Sequence, residues 1–124
     1  MTVKEVIRKA DSLYPNVFTF TQKALWLSEL DSRVFAEICS RYDDSAEKMQ
    51  DSYTENEETV LLIGKPFEDI YIRYLVMNFD IVNSDIVRYQ NSAALFNTMY
   101  TAFVNSYNRS HKFKKTKIKD ASGG

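Results

Sequence analysis

Apolar residues recur at alternating steps of four and three along residues 66–108. This spacing gives a helix one apolar face that packs against other helices. A single helix over the whole stretch would be about 60 Å long, which is long for a chain of this size. We therefore predict a bend or turn near Asn83, since residues 83–85 favour caps over helix interiors, with residues 91–92 as a second candidate break. The apolar series comprises Leu75, Phe79, Val82, Ile86, Tyr89, Ala93, Phe96, Tyr100, Phe103 and Tyr107.

Two earlier helices are indicated by capping patterns. Thr2 is followed three residues later by Glu5, and Thr19 in the same way by Gln22. In such a capping box, the two side chains satisfy free amides of the first helical turn. The predicted helices span residues 2–12 and 19–40, and their apolar stripes comprise Val3, Val6, Ile7, Ala10 and Leu13, and then Trp26, Leu27, Leu30, Val34, Phe35 and Ile38.

Residues 59–63 form the one strand candidate, a run of Thr, Val, Leu, Leu and Ile before Gly64. A lone strand has no stability of its own. We predict an extended apolar strap across the helices; pairing with residues 18–20 or with a neighbouring subunit is the alternative. Pro66 is then expected at the first position of the next helix, with Glu68 and Asp69 in its first turn.

The two remaining stretches are strongly charged and of opposite sign. Residues 42–58 are acidic with Lys48 as their one basic residue, which predicts a long surface loop: either a solvated excursion or a face for a basic partner. Residues 109–124 are basic and end in a flexible segment. This basic tail is either a solvated end or an arm that docks on an acidic protein surface or on nucleic acid; Phe113 and Ile118 favour an arm.

The pattern as a whole predicts an all-α fold: a small bundle of about four helices with a long acidic loop, one short extended segment and a flexible basic C-terminal tail. The domain division is residues 1–108 for the helical body and 109–124 for the tail. The 124 residues suffice for one domain. The net charge of −1 does not by itself indicate a nucleic-acid-binding protein. Fourteen per cent are aromatic, which fits either half-buried contact surfaces or a core of large side chains.

Groups for catalysis are scarce. The chain has one histidine, His111, one cysteine, Cys39, and three glycines. A zinc site, a disulfide within the chain and a Gly-rich phosphate loop are therefore not expected, and Cys39 is predicted to pack rather than react. We expect no enzyme activity, no metal and no cofactor. The sequence also predicts neither a signal peptide nor a membrane span.

Four segments resemble the small head–tail connector proteins of tailed bacteriophages and prophages. They are residues 26–31 (WLSELD), 66–71 (PFEDIY), 88–97 (RYQNSAALFN) and 107–111 (YNRSH). The resemblance extends over most of residues 19–111. The acidic loop and the terminal lysines match no pattern of that family.

The resemblance implies a non-enzymatic virion protein of the phage neck, assembled in the host bacterial cytoplasm. Such connectors form a ring, usually dodecameric, on the portal protein, extend the channel through which DNA passes without sequence-specific binding, and offer a platform for the next neck or tail-completion protein. By position, the tail would dock on the portal through Arg109, His111, Lys112, Phe113, Lys114, Lys115, Lys117, Ile118 and Lys119. Candidates for subunit or neck contacts are Asp43, Asp44, Glu47, Glu55, Glu57, Glu58, Val60 and Leu62.

An alternative of a different class is a small helical regulatory or nucleic-acid-binding protein that uses the lysine-rich tail. Lysine side chains that neutralise phosphates would make such binding depend strongly on salt.

Overall fold

The structure, a computed structural model, describes residues 1–38, 41, 53–54 and 56–111. This part of the chain contains four helices, so the predicted all-α fold is confirmed. The helices are α1 (Val3–Leu13), α2 (Phe20–Glu37), α3 (Asp69–Val82) and α4 (Ile86–Ser110). No helix among these residues is both long and apolar enough to cross a lipid bilayer.

The predicted capping box at Thr2 is present in full, and at Thr19 the hydroxyl half of the predicted box is present. The Thr2 hydroxyl accepts a hydrogen bond from the Glu5 amide at 3.2 Å, and the Glu5 carboxylate accepts one from the Thr2 amide at 2.9 Å. Thr19 caps α2 by accepting from the Gln22 amide at 3.1 Å. The α2 helix ends at Glu37, short of the predicted residue 40.

The buried stripe of α1 is shorter than predicted. It ends at Ala10, whereas Leu13 is 56% exposed. Leu13 occupies the last position of α1 and lines a cavity of about 280 Å³ that Asn83 and Arg88 also line. Its side chain therefore belongs to the surface at the α3–α4 end of the molecule.

Helices α3 and α4 form an antiparallel hairpin with a sharp turn, as predicted near Asn83. Ser84 adopts a positive φ of 59°, a left-handed conformation that non-glycine residues seldom take. The Asp85 side chain then caps α4 by accepting from the Arg88 amide at 3.1 Å. The α4 helix runs without interruption through residues 91–92, so the second candidate break is wrong.

The apolar series does not continue through this turn. Val82 is 52% exposed and Ile86 is 59% exposed, although the spacing placed both on the buried face. The chain reverses between them, and the helical phase of α3 is not carried into α4. On α4 the buried positions are Ser92, Phe96, Tyr100 and Phe103.

The prediction for Pro66 is also wrong. Helix α3 begins at Asp69 with Glu68 as its N-cap residue, and Pro66 lies in the preceding turn after a cis peptide bond. In that turn the Phe67 amide donates to the Gly64 carbonyl at 2.9 Å. The turn redirects the chain into α3, and Asp69 keeps its predicted place in the first turn.

Residues 59–63 form the expected strap, which makes a single antiparallel bridge between Thr2 and Val60. The Val3 amide donates to the Thr59 carbonyl at 2.9 Å. Side chains alternate along the strap: Leu61 and Ile63 are in the core, and Val60 is 65% exposed. Phe18 packs on Trp26 and Phe79 rather than on the strap. Pairing of the strap with another subunit stays a prediction.

Candidate interaction site at the end of α4

One buried carboxylate, on Asp31 of α2, positions the strap. Asp31 has no exposed surface, and its oxygens accept three hydrogen bonds. The hydroxyls of Tyr53 and Tyr71 each donate at 2.6 Å, and the Leu62 amide donates at 3.0 Å. Tyr71 also accepts from the Ile63 amide at 2.7 Å. Asp31 and Tyr71 together therefore bind two consecutive amides of the strap.

The protonation of this network follows from burial. Desolvation raises the pKa of the Asp31 carboxyl, against the opposing effect of its three hydrogen bonds. Desolvation and the nearby Asp31 charge raise the pKa values of Tyr53 and Tyr71, so both tyrosines remain neutral donors. No sequence pattern predicts that these three residues form a network. The available signal was that Asp31 follows Leu27 by four positions and precedes Val34 by three, which places it on the buried face of α2.

A cleft of about 230 Å³ opens where the strap leads into α3 and where α4 ends. We call it the aromatic cleft, because Phe67, Phe103 and Tyr107 contribute its rings. Phe67 and Phe103 meet edge to face at 5.7 Å, as do Phe103 and Tyr107 at 5.8 Å. The remaining lining residues are Leu62, Gly64, Lys65, Pro66, Ser106, Ser110 and His111.

His111 closes one end of the aromatic cleft. Its ring stacks flat on the Tyr107 ring at 3.5 Å. The His111 Nδ1 atom lies 3.0 Å from the Tyr107 carbonyl oxygen and 2.9 Å from the Ser110 hydroxyl. A carbonyl oxygen can only accept, so the contact with Tyr107 is a hydrogen bond in the tautomer that has its proton on Nδ1. These contacts connect His111 to the last turn of α4.

Positive charge borders the cleft. Lys65 is exposed and lines the cleft, and Arg109 is exposed beside Ser110 in the last turn of α4. Over the described ranges, neither side chain forms an ion pair. The cleft thus combines aromatic rings with one cationic side chain, Lys65, which suits an apolar anchor accompanied by negative charge.

The predicted site residues fall into three sets. Leu62 and His111 both line the cleft, and Arg109 directly precedes the lining residue Ser110 in the sequence. Val60, Glu57 and Glu58 are exposed and do not line the cleft; Glu58 pairs with Lys4 at 3.5 Å. The others lie outside the described residues, as does Cys39: Asp43, Asp44, Glu47, Glu55, Lys112, Phe113, Lys114, Lys115, Lys117, Ile118 and Lys119.

In the described part of the chain, no group of three or more His, Cys, Asp or Glu side chains is arranged to hold a metal ion. Comparisons of the chain with protein-family models, with curated proteins and with solved structures find no match in any of the three.

Proposed function

We propose that this protein is a structural adaptor, a head–tail connector of a tailed phage or prophage that forms a ring on the portal. It extends the DNA channel and offers a platform to the next neck or tail-completion protein. The observation that carries the proposal is the aromatic cleft, which Lys65 lines and which lies at the C-terminal end of α4, where the basic segment of the chain follows.

The charge of the tail supports a docking role. Residues 109–119 contain six Lys or Arg and no Asp or Glu. A basic arm that leaves a helix end beside an open cleft is suited to an acidic protein surface, because complementary charge steers encounter and fixes orientation. Under the proposal, this arm binds the portal while the helical body forms the ring.

Electron microscopy of the protein mixed with portal rings from the same phage tests the proposal. We expect an added ring of density on one face of the portal. Lys114→Gln with Lys115→Gln should weaken the complex, whereas Arg8→Gln with Lys9→Gln, a matched pair of adjacent bases on α1, should not. Portal rings without added density would contradict the proposal.

The competing function is nucleic-acid binding through the same lysines. It predicts binding of duplex DNA that weakens steeply with added salt and is lost in Lys114→Gln with Lys115→Gln. If such binding occurs without any portal complex, the regulatory or nucleic-acid-binding alternative replaces the connector.

A further inference from the structure

The α3–α4 turn presents a group of exposed aliphatic side chains at the end of the hairpin away from the cleft. Ile81 and Val82 end α3, and Ile86 and Val87 begin α4; their exposed fractions run from 44% to 69%. We call these four residues the aliphatic tip. Single exposed aliphatic residues are ordinary, but a group of them within one turn marks an interaction surface.

The turn itself gives no reason for this group. Asn83 and Asp85 cap the two helices, and the positive φ of Ser84 completes the reversal. None of these roles needs a branched aliphatic side chain at the four neighbouring positions. The exposed part of these four side chains is therefore available for a contact outside the single chain.

The tip and the aromatic cleft lie at opposite ends of one rigid element. Along α4, 17 positions separate Ile86 of the tip from Phe103, the first α4 residue that lines the cleft, which is about 25 Å at 1.5 Å per residue. One end projects aliphatic side chains, and the other offers an open aromatic cavity of about 230 Å³. Because the two ends are so far apart, the tip cannot enter the cleft of its own chain.

The charges at the two ends are also complementary. Beside the tip, Asp80 and Asp85 share one cation, Arg88, whose Nε atom lies 3.8 and 3.9 Å from their carboxylates. This leaves a net charge of −1 there, from two acids and one base. At the cleft, Lys65 leaves a positive charge. The cleft suits a ligand that combines an aliphatic group with a neighbouring negative charge.

We propose that the aliphatic tip of one copy docks in the aromatic cleft of a second copy of this chain. Such a contact joins two different surfaces, so it leaves a free tip and a free cleft and can repeat until a ring closes or a filament grows. This contact rests on the proposed function in one respect, because it assumes that the connector associates with itself. It names the two surfaces through which the copies would associate.

Two variants separate the surfaces. In the tip variant, Ile86→Gln with Val87→Gln removes exposed aliphatic groups without burying a polar one. In the cleft variant, Gly64→Leu adds a side chain where a Cβ atom would meet nothing within 4 Å. The control variant, Leu25→Gln with Leu95→Gln, changes two aliphatic residues that are each 49% exposed and lie outside both surfaces.

Sedimentation velocity and mass photometry of the purified chain, alone and in mixtures, provide the test. The unmodified protein and the control should associate alike. The tip and cleft variants should each associate about tenfold or more weakly, the order expected when buried aliphatic contacts are lost from an interface. Their mixture should form a one-to-one pair and nothing larger, because only one intact tip and one intact cleft can meet. Circular dichroism checks that every variant is folded.

Three results would overturn the proposal: an unmodified chain that stays monomeric, a mixture that forms no pair, or a tip variant that fails to associate while the cleft variant associates fully. The last result would mean a symmetric tip-to-tip contact. A chain that associates through tip and cleft but never binds portal rings keeps this inference and loses the proposed function. If the chain binds portal rings and both variants still associate fully, the proposed function is kept and this inference is lost.

Discussion

At Asp31 a single carboxylate links α2 to the strap and to two tyrosines. It can do so because an ionised carboxylate only accepts, and all three of its partners are donors. An amide in its place presents an NH₂ group to one of those donors. The network therefore depends on the carboxylate and not only on side-chain size.

Asp31→Asn is expected to lower the free energy of unfolding by about 1–3 kcal/mol, the usual cost of a buried donor left without its acceptor. Urea denaturation followed by circular dichroism measures the change. Glu29→Gln, an exposed acid-to-amide change on the same helix, is the control and should have little effect. Equal stability of Asp31→Asn and the unmodified protein would mean that the network does not hold the strap.

The raised pKa of Asp31 gives the stability a pH dependence of defined sign. The folded state holds the proton more tightly than the unfolded chain, in which Asp titrates near 3.8. This contribution is fully present below that value and is lost as pH rises through the higher folded-state pKa.

Subtracting the unfolding free energies of Asp31→Asn from those of the unmodified protein across this pH range isolates the contribution, because the other carboxyl groups cancel. The difference should fall as pH rises and then level off. A difference that is flat or that rises with pH would contradict the assigned direction.

At the scale of elements, aromatic stacking along α4 joins it to α3. Phe96 is 2% exposed and lies between Tyr74 at 5.3 Å and Tyr100 at 5.5 Å. Phe96→Ala should cost about 3–5 kcal/mol, since it leaves a cavity between the two helices. Leu95→Ala, at a neighbouring position that is 49% exposed, is the control. Thermal unfolding compares them; an unchanged melting temperature for Phe96→Ala would mean that α4 does not depend on this face.

Local patterns predicted those features of the fold that local forces determine. The caps at Thr2 and Thr19 and the turn near Asn83 follow from side chains that bond to their own backbone neighbours. The predictions were wrong where contacts between residues distant in the sequence determine the structure. The spacing at Val82 and Ile86 fits a helix, but the reversal between them breaks the phase. Pro66 fits a helix start and a turn equally well.

The candidate site was predictable only in part. Leu62, Arg109 and His111 were named from the strap and the tail. Tyr107 was recognised only as a packing position, because a cleft between a turn and a helix end has no signature in either segment. The Asp31 network joins residues up to 40 positions apart, and no periodicity along one helix reports such a contact.

For the molecule as a whole, the buried core of the described residues extends along the sequence from Val3 to Phe103, and side-chain contacts continue to His111. Deleting residues 112–124 should therefore change the unfolding free energy by less than about 0.5 kcal/mol, as surface changes usually do, while weakening portal binding. Chemical denaturation and a portal pull-down measure the two effects. Unfolding of the shortened protein would place the tail in the core and remove it as a docking arm.

The connector proposal uses three features of the molecule. They are the aliphatic tip and the aromatic cleft at opposite ends of one hairpin, and the basic tail. Under these proposals, the tip and the cleft would provide contacts between copies, and the basic tail would provide the contact with the portal. The same molecule without a portal would be expected to associate with itself only, and the portal would determine the number of copies by templating the ring.

The most direct measurement is native mass spectrometry of portal rings titrated with the protein. The proposal predicts that the mass rises to a plateau that corresponds to a fixed, symmetric number of copies, in one complex per portal. Removal of residues 112–124 should abolish the increase. A portal mass that stays unchanged at saturating protein would contradict the central claim that this chain is a portal-bound adaptor.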